Sequence, residues 1–218
     1  MNMRPHFKIV RLSLIALACA ALLGGFRAPA QAPPAGTAPP PAATAPATPA
    51  PATTSSMPPV TKPAQQDAFY VVGVSVRTSN DEVAKDGGPI PGLWQNFMEQ
   101  NLGSTIPDRV GDDIYVVYTD FDQGLPGAYT YVLGGKVSSI AHVPAGMVSR
   151  QVPAGRYVVV TSDKGPLQQV VPAVWAKIWT MTPDQLGGTR AHGADYEIYN
   201  LESFNPQDSQ VNVYLGVK

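Results

Sequence analysis

The sequence predicts an α+β fold made by duplication: two strand-helix-strand-strand units forming a pseudo-twofold antiparallel sheet, with helices on one face and a central groove. Three observations lead there. The segment Ile90-Pro91-Gly92-Leu93-Trp94-Gln95-Asn96-Phe97-Met98 repeats its order of apolar, proline and tryptophan positions 81 residues later, as Val171-Pro172-Ala173-Val174-Trp175-Ala176-Lys177-Ile178-Trp179. Tyr115-Val116-Val117-Tyr118 returns as Tyr196-Glu197-Ile198-Tyr199 at the same spacing. Tyr131-Val132-Leu133-Gly134 is echoed by Val213-Tyr214-Leu215-Gly216 at an offset of 82. Three matches in one order at near-constant spacing mark an internal duplication.

Taken from the N-terminus, the first thirty residues read as an export signal. Arg4, Lys8 and Arg11 precede an apolar run from Leu12 to Phe26, and Ala28-Pro29-Ala30 has the small-x-small form of a signal peptidase site. The run is about fifteen residues, short of the roughly 20 that cross a bilayer comfortably. Periplasmic or secreted localisation follows, with an uncleaved segment anchored in the inner membrane as the alternative. Cys19 is the chain's one cysteine, and Ala16 stands where a lipoprotein signal carries leucine. A product cleaved after Ala30 therefore has no disulfide and no thiolate chemistry.

Residues 31–66 form a Pro/Ala/Thr tract, with eleven prolines between Pro33 and Pro63. Such a composition buries too little apolar surface to offset ordering entropy, and its prolines favour extended polyproline II. The expectation is a disordered spacer, with the folded domain covering 67–218 as units of about 67–142 and 147–218. All sixteen acidic residues lie from Asp67 onward against ten of the fifteen basic ones, a net charge of −6. An acidic globular part argues against nucleic acid as a partner and suits neutral or cationic ligands.

Within the domain, β-branched runs at Tyr70–Val76 and Tyr157–Thr161 open the two units as strands. Each helix carries apolar residues at i, i+3, i+4, i+7 and i+8, and its proline suits the first helical position. Residues 122–127 and 205–210 are the polar turns joining the last two strands of each unit, and Gly134-Gly135 and Gly187-Gly188 read as turn or bulge glycines. A groove between two such units is a common place for a ligand.

The same residues carry a family resemblance. Ile90-Pro-Gly-Leu-Trp94-x-x-Phe97, Ile114-Tyr-x-x-Tyr-Thr-Asp-Phe121, Val152-Pro-Ala-Gly-x-Tyr157, Trp175-x-x-Ile178-Trp179 and Asp195-Tyr-Glu197-x-Tyr199 together resemble the GyrI-like effector-binding domain of multidrug-responsive regulators and AraC-type activators. The likeness is greatest to the stand-alone integron-cassette version. The resemblance implies a small-molecule pocket lined by aromatics, often with one glutamate that attracts cationic lipophilic ligands, and Glu197 stands where that residue is expected. The chain departs from the regulators in having no helix-turn-helix and in carrying an export-type leader.

Independently of the family, strand alternation puts Asp195, Glu197, Tyr199 and Leu201 on one face. The duplication sets Glu197 against Val116 and Tyr199 against Tyr118. A carboxylate among tyrosines on a groove face is costly to desolvate unless something pairs with it. A ligand cation, or proton sharing during chemistry, supplies a reason for it; an exposed face, or an ion pair with Arg150, Arg156 or Lys177, is the plainer alternative. Trp94 and Trp175, in equivalent places on the two helices, can wall a groove and face a cation. Tyr118, Tyr157 and Tyr199 complete the candidate ligand-binding set. No catalytic residue, metal site or cofactor emerges: His142 and His192 are isolated, no Gly-x-Ser-x-Gly elbow is present, and no phosphate-binding loop.

The expected function is an exported binder of a small organic molecule, cationic or amphipathic, without a DNA-binding module. One alternative is a hydrolase of a reactive small molecule, a chemistry found in some GyrI-like domains, with Glu197 as general base. The other is a non-catalytic structural module of the cell envelope.

Overall fold

The computed structural model describes residues 57–122, 127–202 and 204–218. The proposed leader, Cys19 and most of the Pro/Ala tract lie outside the described residues, as does most of the turn predicted over 122–127. The elements in order are β1 (Ala64–Gln66), β2 (Phe69–Ser79), α1 (Asn80–Val83), α2 (Ile90–Glu99), a 3-10 turn (Leu102–Thr105), β3 (Ile114–Thr119), β4 (Ala128–Val137), β5 (Val148–Val152), β6 (Gly155–Thr161), α3 (Leu167–Thr180), α4 (Pro183–Leu186), β7 (Ala194–Tyr199) and β8 (Asn212–Val217).

All eight strands join one antiparallel sheet in the order β1-β6-β8-β7-β3-β4-β2-β5. Its two halves are related by a pseudo-twofold axis at the β3–β7 junction, where Val116 pairs directly with Glu197. These are the two residues that the duplication makes equivalent, so the odd carboxylate stands on the symmetry axis itself. Tyr118 and Tyr199 are likewise equivalent, one on either side of that pair.

The helices lie over one face. Phe97 of α2 and Val174 and Ile178 of α3 are buried against Val72, Val74, Val116, Leu133, Val158, Val160, Val213 and Leu215. The opposite face holds a second cluster of Val71, Tyr115, Val117, Val132, Val152, Tyr157, Ala194 and Tyr196. Strand alternation sorts the two sets, as residues 115 and 117 go one way and 116 the other.

Four details correct the expectations. Residues 64–66 are not spacer but strand β1, and Val60 also bridges to Val160, so the folded part starts before residue 67. Each unit thus begins with an extra strand, and these strands are exchanged: β1 pairs with β6 of the second unit and β5 with β2 of the first. The β4 and β8 equivalence is slipped by two residues from the sequence match, since Leu133 pairs with Val116 and Val213 with Glu197. A slip of two keeps every side chain on its own face, which is why the pattern did not expose it.

The other two concern glycine and proline. Gly134 and Gly135 lie within β4, not in a turn. A Cβ on Gly134 would sit 2.0 Å from the Val72 carbonyl oxygen and one on Gly73, its direct partner, 2.1 Å from that of Leu133. The two strands approach closely at this pair because neither residue has a side chain. Pro172 lies inside α3 rather than at its start, because Leu167–Val171 add a further turn upstream. Pro91, by contrast, is in the first turn of α2 as expected.

Candidate functional site

Glu197 projects from β7 into a cavity of about 680 Å³ between the helices and the sheet. The volume is in the range of small-molecule pockets, roughly 300–1,000 Å³. The residue is 1% exposed. Three side chains from three elements donate to it: Tyr118 of β3 to Oε1 at 3.0 Å, Trp175 of α3 to Oε1 at 2.6 Å, and Tyr199 of β7 to Oε2 at 2.6 Å. Tyr118 and Tyr199 reach it from symmetry-related positions. The helices break the symmetry, since Trp175 donates to Glu197 while its equivalent Trp94 donates to the Tyr131 hydroxyl at 2.7 Å.

The geometry fixes the electrostatics. Burial pushes the Glu197 carboxyl above its ordinary pKa, and the hydrogen bonds from Tyr199, Trp175 and Tyr118 only partly offset this. Burial, followed by the nearby Glu197 charge, holds Tyr118 well above the ordinary tyrosine range. The same two causes, in the same order, act on Tyr199 and bring Tyr129 to about 12. The tyrosines are therefore neutral donors. No cation answers the carboxylate: Arg150 pairs with Asp120 at 3.0 Å and Lys177 with Asp163 at 3.0 Å, and no salt bridge among the described residues includes Glu197.

Aromatic rings form much of the wall. Tyr118 lies 4.7 Å from Trp175 between ring centres, Trp175 lies 5.3 Å from Trp179, and Trp94 meets Tyr199 edge to face at 5.4 Å. Glu197, Tyr199, Trp175, Trp94 and Tyr118, five of the six sequence candidates, line this one cavity.

Tyr157 does not. Its ring packs on Tyr196 at 5.6 Å on the opposite face of the sheet, and its hydroxyl donates to the Pro153 carbonyl at 3.0 Å. In β6 the cavity-side residues are Val158 and Val160, so alternation turns Tyr157 away. Asp195 shares the strand but not the role. It is fully buried, paired with Arg190, and accepts from the Gly216 backbone at 3.1 Å.

Sequence reasoning missed Tyr129, Tyr131, Phe121 and Phe204 in the lining. Tyr131 was within reach, because it is the strand partner of Tyr118 and alternates with Tyr129 and Leu133. Among the described residues, no three His, Cys or carboxylate groups come together as metal ligands would.

Comparison with known proteins then places the chain. The model of the family described as Cass2, integron-associated effector binding protein, matches residues 64–217. The chain belongs to that family. YobU of Bacillus subtilis, named as a transcriptional regulator, is 31% identical over 153 residues, which are 70% of this chain and 94% of that protein. The transcriptional regulator BrlR of Pseudomonas aeruginosa is 31% identical over 158 residues, but the match spans only 53% of its length. Among solved structures, the integron cassette protein VCH_CASS2 from the mobile metagenome of Vibrio cholerae shares the fold with a TM-score of 0.56 at 24% identity, covering 73% of this chain and 95% of that one. The structure of SAV2435 bound to tetraphenylphosphonium gives a TM-score of 0.57 at 16% identity, covering 72% and 93%. Membership makes this an effector-binding domain, and the GyrI-like fold expected from the sequence is the one present.

Proposed function

We propose that this protein binds lipophilic organic cations in the cavity over Glu197, and that it does so as an exported receptor. One observation carries the ligand class: a buried carboxylate on the floor of an aromatic cavity, held by three neutral donors and paired with no cation among the described residues. A charge so desolvated is stabilised when a ligand brings the opposite one, and tryptophan and tyrosine rings offer further attraction to it. Tetraphenylphosphonium, the ligand of the SAV2435 structure, is a cation of this kind. The leader-like residues 1–30 and the Pro/Ala tract support export.

The hydrolase reading is the weaker one. Three ring-borne donors already occupy the carboxylate, two on Oε1 and one on Oε2, so a single acceptor position on Oε2 is left for taking a proton from a substrate or water.

Calorimetric titration of the purified protein tests the proposal, using tetraphenylphosphonium, with neutral triphenylphosphine oxide as control. The cation should bind and the neutral compound bind far more weakly. Glu197→Gln should weaken the cation by roughly 1.5–3 kcal/mol, the size of a charge-assisted contact in a desolvated site. Equal binding of both compounds, or no effect of the substitution, rejects the reading.

A further inference from the structure

The cavity has a second carboxylate. Asp86 lies at its rim, and among the described residues these two acids are the ionisable groups of the lining other than tyrosines, with no lysine, arginine or histidine beside them. No ion pair or side-chain hydrogen bond among the described residues engages Asp86. Lys85 beside it is exposed and does not line the cavity.

Asp86 belongs to the part of the molecule that departs most from the duplication. Residues 80–89 join β2 to α2, where only 162–166 join β6 to α3. The longer connection forms α1 and then a turn in which Asp86, Gly87 and Gly88 all have positive φ, at 58°, 82° and 58°. The turn is packed down on α2, since a Cβ on Gly87 would meet the Pro91 ring at 2.9 Å. Backbone bonds from Gly87 N to Val83 O at 2.9 Å and from Gly88 N to Lys85 O at 3.1 Å close it. The half that sets Val116 opposite Glu197 thus contributes an aspartate to the rim.

We infer that Asp86 and Glu197 make a two-point charge site, selecting elongated dications with one charge at the floor and the other at the mouth over monocations of similar size. This rests on the proposed cation-binding function and adds to it a second subsite and a ligand class. The rim carboxylate is exposed, so its effect is modest and screened by salt.

The test compares a triphenylphosphonium carrying a short alkyl chain with the same compound bearing a terminal trimethylammonium, on tethers of several lengths. Affinities are measured calorimetrically at low salt for wild type, Asp86→Asn and Glu197→Gln. Wild type should prefer the best-matched dication about fivefold, a preference that fades at high salt. Asp86→Asn should remove most of that preference while reducing monocation affinity less than twofold, and Glu197→Gln should weaken both ligands. A dication preference that survives Asp86→Asn, or no preference at any tether length, overturns the inference while leaving monocation binding intact. Failure of the monocation itself to bind wild type overturns the function on which the inference rests, and the inference with it.

Discussion

Glu197 concentrates the chemistry of this protein in one group. Its burial raises its pKa, so the folded chain keeps the proton over a pH range in which the unfolded chain has lost it. The stability associated with that proton is complete below the unfolded pKa and is lost as pH rises through the folded one. Thermal melts should therefore show Glu197→Gln more stable than wild type near neutral pH, with the difference closing on acidification. A variant less stable than wild type at every pH contradicts this. Trp175→Phe keeps an aromatic ring but removes one of the two donors to Oε1. The carboxyl pKa should rise further, readable by NMR titration of the Glu197 side chain, and an unchanged or lower pKa would show that the indole does not stabilise the anion.

At the level of elements, the sequence was most readable where periodicity and burial agree. Phe97, Val174 and Ile178 declared the inner faces of α2 and α3 because apolar residues recur at helical spacing over more than two turns. Tyr118 and Tyr199 were found because a short motif was repeated intact. Strand β1 was not legible: Ala-Gln-Gln has no apolar alternation, and what holds it is backbone pairing to β6 together with the contact between Gln66 and Tyr196. Tyr157 was placed on the wrong face because, in a run as apolar as Tyr-Val-Val-Val, alternation gives no sign of which side is inward. The exchange of β1 and β5 depends on partners far away in the chain. It has an energetic consequence, since a chain beginning at residue 67 lacks an edge strand that a chain beginning at 57 retains. Chemical denaturation should find the shorter chain less stable by about 1–3 kcal/mol, the net value of a few backbone hydrogen bonds. Equal stability of the two would mean that β1 is merely laid against the sheet.

The whole molecule is a near-symmetric frame with an asymmetric charge placed on its axis. Val116 and Glu197 are direct strand partners, Tyr118 and Tyr199 flank them, and Trp94 and Trp175 face them from equivalent helices. The frame explains how one substitution can create a binding site: either half offers the donors, and only one supplies the carboxylate. Moving the charge across the axis, with Val116→Glu and Glu197→Val together, should restore cation binding to at least about tenfold above the single variant Glu197→Val, some 1.4 kcal/mol. Recovery is expected to be incomplete, because Trp94 now donates to Tyr131. Titration of the double and single variants side by side checks it, and a double variant as weak as the single one would show that the halves are not interchangeable.

In the proposed function the buried Glu197 carboxylate is the counter-ion for a bound cation. The most direct test is the pH dependence of tetraphenylphosphonium affinity in wild type and Glu197→Gln. Protonation removes the counter-ion, so wild-type affinity should rise with pH, by up to about tenfold per unit below the Glu197 pKa, and level off above it. The variant should bind weakly with a flat profile. Parallel profiles in the two proteins would contradict the account, because the titrating group that governs binding would then lie elsewhere.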